Sequence, residues 1–215
     1  MITLPNELNG TINFNVTTDL CDYQFYLDCQ NRRFHLIGEI TPSGEDGVCD
    51  ESNASRIARE IIRINQEDQG IDPKDRKRIV IFINSGGGDT AEGYALIGAI
   101  QTSETPVDIV SFGRCMSMAF MISLAGDRRF ALPYTQFLLH DGGVGGTDST
   151  NKFLDYADFK KRCEKDVVKP YVLKHSKMTE KEYAKFERKE FYMLPEDALK
   201  YGFIDGIIEK PGDMP

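Results

Sequence analysis

Apolar residues gather in the middle of the chain in runs of two kinds. RIVIFIN (78–84) and PVDIVSFG (106–113) are short, continuous and rich in β-branched residues, the pattern of strands buried on both faces. TAEGYALIGAI (90–100) and SMAFMISLAG (117–126) are longer and apolar nearly all round, which predicts helices packed on a sheet. RRFALPYTQFLLH (128–140) holds one or two further short strands. Strand, helix, strand, helix, strand is the order of a parallel sheet with crossover helices.

The flanks follow from the same pattern. RRFHLIGEI (32–40) predicts a strand, and the turn-rich TPSGEDGVCDES (41–52) a loop ending in capping residues. ASRIAREIIRI (54–64) predicts a helix with Ala54, Ile57, Ala58, Ile61 and Ile62 on its apolar face. After a glycine-rich connector, DGGVGGTDST, a long charged helix is expected over 151–175, kinked or broken at Pro170. Thr179 and Glu182 form a capping box for a helix over 180–190. Pro195 opens a short helix that stops at Gly202, FIDGIIE (203–209) is a last strand, and residues 211–215 are a loose tail. Residues 1–25 are polar and weakly patterned, and read as a flexible or hairpin-like segment.

Bulk properties narrow the function classes. At 215 residues the chain suits one domain, or one domain with an appendage. A formal net charge of −8 gives no general basic field for nucleic acid or anionic lipid. No apolar run reaches the length of a membrane span, and MITLPNELNG lacks the basic start and apolar core of a signal peptide; the expected compartment is the cytoplasm. The five cysteines, Cys21, Cys29, Cys49, Cys115 and Cys163, show no CxxC spacing and read as reduced, packed thiols, so no metal and no cofactor is expected.

Three features carry chemistry. The triple glycine of INSGGGD (83–89) lies at a strand end, where bare backbone permits unusual dihedrals and close approach of a ligand. No Lys-Ser/Thr follows, so it is not a phosphate loop. Ser117 stands at a strand-to-helix junction, where a serine caps the helix or serves as a nucleophile beside the free N–H groups of the first turn. His140 ends the apolar run QFLLH, either as a core residue or as the base that a nucleophilic serine requires. Ligands of open α/β sheets bind where parallel strands end, and both residues are expected there.

Taken together, these motifs resemble the Clp protease proteolytic subunit family (ClpP), over about residues 25–210. The family's Asn-Ser-Pro-Gly-Gly is represented by Asn84-Ser85-Gly86-Gly87-Gly88, and its Gly-x-Ala-Ala-Ser-Met-Gly by Gly113-Arg114-Cys115-Met116-Ser117-Met118-Ala119. Leu132-Pro133 and then Phe137-Leu138-Leu139-His140 match its histidine strand. Ala198, Tyr201, Gly202 and Asp205 match its closing motif.

The resemblance implies a crotonase-like α/β fold and a serine endopeptidase. Ser117 would be nucleophile, His140 base, and the N–H groups of Gly88 and Met118 the oxyanion hole. The family's triad acid, usually Asp, falls at Glu190, eight residues before Ala198; Asp141 and Asp197 are alternatives. Gly86 replaces the family's Pro, Met116 and Ala119 flank the nucleophile, and Asp141-Gly142 replaces Gln-Pro.

By the same resemblance, the connector and long helix, about 141–175, form a handle that interlocks two stacked heptameric rings. Phe153, Leu154, Ala157, Val167 and Val168 are available for that packing. The chamber would take short peptides, or unfolded proteins threaded by an AAA+ unfoldase, and residues 1–25 would line its pore. Alternatives are a ClpP-like subunit with weak or no catalysis and a crotonase-fold acyl-CoA enzyme. A Ser-Lys peptidase of the signal peptide peptidase A type lacks a suitable lysine near the apolar segments.

Overall fold

The computed structural model describes residues 27–44, 52–143, 150–187 and 189–215. The expectations for residues 1–25, and for the glycine-rich part of the connector at 144–149, lie outside the described residues.

The apolar runs form a mainly parallel sheet. β1 (Leu27–Asp28) pairs antiparallel with β2 (Arg33–Ile40); β2, β3 (Ile79–Gly88), β4 (Val107–Met116), β5 (Arg128–Ala131) and β8 (Gly206–Ile207) then follow side by side in parallel. The sheet forks at β4. Its residues 108–111 pair with β5, and Arg114–Met116 pair with β6 (Gln136–Leu139), which pairs antiparallel with β7 (Phe191–Met193). Gly113, with φ of +65°, sits at the fork, and a Cβ there would lie 2.8 Å from Asn84 Oδ1. The same oxygen accepts the Arg114 N–H at 3.1 Å.

Helices cover the sheet as the periodicity requires. α1 (Asn53–Glu67) is capped by the Ser52 hydroxyl, which accepts from the Ser55 N–H at 3.1 Å. Its buried face is Ala54, Ile57, Ala58, Ile61 and Ile64. Ile62, expected on that face, is 53% exposed: the stripe runs 57, 61, 64, and position 62 lies a further 100° round the helix. α2 (Thr90–Gln101) is capped by Asp89, and every residue of α3 (Met118–Ser123) is buried. One large core lies between these helices and the sheet. A smaller cluster of Val80, Val110 and Ile208, with Phe82, Phe130 and Leu132 against it, shows that the central strands also bury part of their second face.

The long helical stretch begins as α4 (Thr150–Cys163), passes through a π-helical turn at Glu164–Val168 and continues as α5 (Lys169–Lys174). The irregularity falls one turn before Pro170. Proline lacks an N–H and its ring crowds the carbonyl four residues back, and the wider turn, closed by Lys169 N–H to Glu164 C=O, absorbs both effects. α6 (Glu180–Phe186) has the expected capping box and stops earlier than residue 190; α7 (Pro195–Lys200) ends before Gly202, whose φ is +71°. The last strand is confined to Gly206–Ile207, paired with β5.

Candidate active site

The strand order brings the candidate groups to one edge of the sheet. β3, β4 and β6 are parallel, so Gly88, Ser117 and His140 all stand at or just past their carboxyl ends. β7 is antiparallel to β6, with Leu139 opposite Phe191, so Glu190 precedes β7 at that same edge. Glu190 immediately precedes β7 and His140 immediately follows β6, so the two lie at adjacent strand ends.

Ser117 is held in a strained turn. Its φ of 53° and ψ of −125° are rare for a residue with a side chain, and such a conformation costs about 1–3 kcal/mol. Its N–H donates to the Leu138 carbonyl at 2.9 Å and its carbonyl accepts from Met121 N–H at 3.1 Å, so β6 and α3 fix the backbone from both sides. The side chain makes no capping hydrogen bond. Of the two roles open to a serine here, capping is therefore not the one it performs.

Two glycines of the triple-glycine segment fit this turn closely. A Cβ on Gly87, whose φ is +98°, would lie 2.7 Å from Ser117 Cβ and 2.9 Å from Met118 N. A Cβ on Gly88, with φ of +140°, would lie 2.2 Å from the Ile40 carbonyl oxygen. The first glycine lets β3 touch the serine turn, and the second lets it touch β2. Nothing in the sequence distinguishes these roles among three consecutive glycines, so the contact of Gly87 with Ser117 emerges only from the fold. Met118 is fixed by another bare position: a Cβ on Gly93 of α2 would lie 2.3 Å from Met118 Cγ.

His140 Nε2 is buried and has no hydrogen-bond partner. No hydrogen bond joins it to Ser117 or to Glu190. A small cavity beside it is lined by Asp141, Glu164, Tyr183 and Glu187. Glu190 is exposed, and its Oε2 accepts from the Tyr192 hydroxyl at 2.6 Å. Asp197 accepts the Leu194 N–H at 3.2 Å and caps α7, while Asp141 is an exposed residue following His140.

Cys115 is buried completely, and that burial pushes its thiol up to about 11. It is a neutral, packed group facing the Ala119 carbonyl, in keeping with its sequence reading. Asp205 of the closing motif holds the Arg129 guanidinium and N–H, which ties the last strand to β5. Among the described residues, no group of three or more His, Cys, Asp or Glu side chains could hold a metal ion. No described helix is long and apolar enough to cross a membrane.

Comparison with known proteins identifies a family. The family model described as Clp protease matches residues 46–211. A relative named ATP-dependent Clp protease proteolytic subunit, from Leuconostoc citreum, is 28% identical over 174 residues, covering 79% of this chain and 83% of the relative. The ATP-dependent Clp protease proteolytic subunit 2 of Thermobifida fusca is 31% identical over 169 residues, covering 77% and 79% of the two chains. The Deinococcus radiodurans proteolytic subunit is 29% identical over 136 residues, covering 62% and 66%.

Proposed function

The chain belongs to the Clp protease family, and on that premise we propose that it is a serine endopeptidase subunit working through Ser117, His140 and Glu190. In this reading Ser117 Oγ attacks the peptide carbonyl while His140 Nε2 takes its proton. The N–H groups of Gly88 and Met118 receive the oxyanion, and the imidazolium returns the proton to the leaving amine. Water then releases the acyl group by the same steps. Glu190 orients the imidazole and balances its charge. The observation that carries this reading is Ser117 itself: a strained residue at a strand-to-helix turn, with a hydroxyl not spent on capping.

The assembly belongs to the same proposal. α4 has no buried residue, and Phe153, Leu154, Tyr156 and Phe159 are exposed along it. Such a face supports a handle covered by other copies of the chain, in two stacked heptameric rings fed by an AAA+ unfoldase with unfolded protein. Short peptides would enter unaided.

The experiment is treatment with a fluorophosphonate, followed by mass mapping and by sedimentation of the labelled species. The adduct should sit on Ser117, disappear in Ser117→Ala, weaken strongly in His140→Ala and Glu190→Gln, and sediment with a closed oligomer. The unbonded Ser117 and His140 favour a second reading, a subunit with weak catalysis that serves in assembly. Rings that form without any labelling would select it.

A further inference from the structure

Next to the candidate catalytic edge lies a cavity of about 570 Å³, a size suited to a peptide segment. Its walls are Thr90 and Tyr94 of α2, the Asp141–Gly143 segment that follows His140, and the inner side of α4 with the π-helical turn. It shares Asp141, Glu164 and Glu187 with the small cavity at His140, so the two are neighbouring parts of one depression.

The charges around this space are arranged unequally. Lys160 is half-buried; its Nζ donates to Thr90 Oγ1 at 2.7 Å and lies 5.4 Å from the centre of the Tyr156 ring. Both partners are neutral, and no described carboxylate forms an ion pair with it. Lys161 and Lys169 have theirs, with Asp158 and Glu180, and Lys165, also on the cavity wall, is exposed to water, which sets the half-buried Lys160 apart. The acidic residues of the cavity wall keep their charge but do not pair with Lys160: Glu164 accepts from the Tyr183 hydroxyl at 2.7 Å, and Asp141 and Glu187 are exposed. An ammonium drawn partly out of water beside neutral groups lacks one thing, an anion.

We propose that this cavity receives the substrate side chain preceding the scissile bond, and that Lys160 makes it select acidic residues. Glutamate would reach the ammonium with its carboxylate while its methylenes lie against Tyr94 and Val168. The inference rests on the peptidase reading for its use in catalysis, but the pocket's preference is measurable without catalysis.

Two assays separate the two. In the first, fluorogenic peptides differing only in that residue, as Glu, Gln, Leu or Lys, are compared by kcat/KM. Glu should exceed Gln by about 10- to 100-fold. Lys160→Met should abolish the difference, Lys160→Arg should retain part of it, and Lys160→Glu should shift preference to Lys. Fluorophosphonate labelling of Ser117 should persist in all three, which shows that the fold and the nucleophile are intact. In the second, product-like peptides ending in Glu, Gln or Leu are titrated calorimetrically into Ser117→Ala and into the double variant with Lys160→Met. Tighter binding of the Glu peptide that depends on Lys160 supports the pocket even if no peptide is cleaved, the outcome that would sink only the peptidase reading. Equal binding of the three peptides, or a preference unchanged by Lys160→Met, overturns the proposal.

Discussion

The two edges of the sheet are built on opposite principles. At the edge where β3, β4 and β5 begin, the polar groups find partners. Asp108, fully buried, is held between Arg78 and Arg128; Arg32 grips Asp68, which also accepts from Thr105; Arg76 reaches Glu104. Burial pushes the Asp108 carboxyl up, but Arg128 and Arg78 outweigh it and hold it below the usual carboxylate range. At the opposite edge stand two glycines at positive φ, a serine forced into a left-handed turn and a histidine nitrogen buried without a partner. The first edge carries one left-handed residue of its own, Arg32 with φ of 57°, but its charges are paired; the second combines a left-handed serine with an unpaired nitrogen. Natural sequences break local rules where a site requires it, and the carboxyl edge is where strain and an unsatisfied polar atom coincide.

The sharpest way to break this contrast is to relax the strained edge. Ser117→Gly removes the proposed nucleophile and also the penalty of a side chain at φ 53°. Peptidase activity should fall by about four orders of magnitude or more. Stability should rise by about 1 kcal/mol, because the strain relieved exceeds the entropy that glycine adds to the unfolded chain. Denaturant unfolding and peptide hydrolysis on the same preparation test both halves. A glycine variant less stable than the parent would mean that the turn is not strained.

The satisfied edge should respond in reverse. Asp108→Ala leaves Arg78 and Arg128 facing each other without their common carboxylate. Breaking a buried ion pair costs about 3–5 kcal/mol, and arginines 34% and 47% exposed can turn toward water, which favours the lower figure of about 3. The melting temperature should fall by about 10 °C. Below that temperature, labelling of Ser117 should match the parent. Lost labelling in a folded Asp108→Ala variant would couple the two edges and end the comparison.

The contrast also explains what could be read from the chain. β3, β4, α1 and α2 were legible because their apolar periods are long and their caps, Ser52 and Asp89, are local. Ser117 and His140 were legible as motifs at strand ends. The long-range pairings were not. That β4 forks at Gly113, so that Ser117 and His140 end neighbouring strands, depends on two partners drawn from different parts of the chain. That Glu190 comes to the same edge as His140 needs β7 to fold back on β6. Pro170 announced an irregular helix, but which turn would yield depends on the packing of α4 and α5. Nothing in the sequence singles out Lys160 among the lysines of this helix; only the fold sets its Nζ against Thr90.

The smallest expected effect sharpens the contrast, because it concerns the satisfied carboxylate at the strained edge. Glu92, in the first turn of α2, accepts from the Ser43 N–H at 3.0 Å, from the Ser43 and Ser52 hydroxyls at 2.6 and 2.7 Å, and from the Ser55 hydroxyl. It fastens the end of the loop after β2 and the start of α1 to the helix that follows the glycines. Burial pushes its carboxyl up, but the hydrogen bonds from Ser43, Ser55 and Ser52 prevail and bring it down to about 2 from the ordinary 4.5. A folded-state value below the unfolded one adds stability that is complete above pH 4.5 and is lost as pH falls through about 2. Glu92 keeps contact with solvent, so the loss should be local: α1 should fray at its first turn before the sheet unfolds. Amide hydrogen exchange at Ser55 and Arg56, whose N–H groups go to the Ser52 hydroxyl and carbonyl, should speed up between pH 4.5 and 2 in the parent. In Glu92→Gln the same amides should exchange faster at neutral pH, with no step in that window beyond the ordinary pH dependence of exchange. Parent protection that holds unchanged down to pH 2 would show that the serines do not need the charge, and that this corner of the strained edge is held by packing alone.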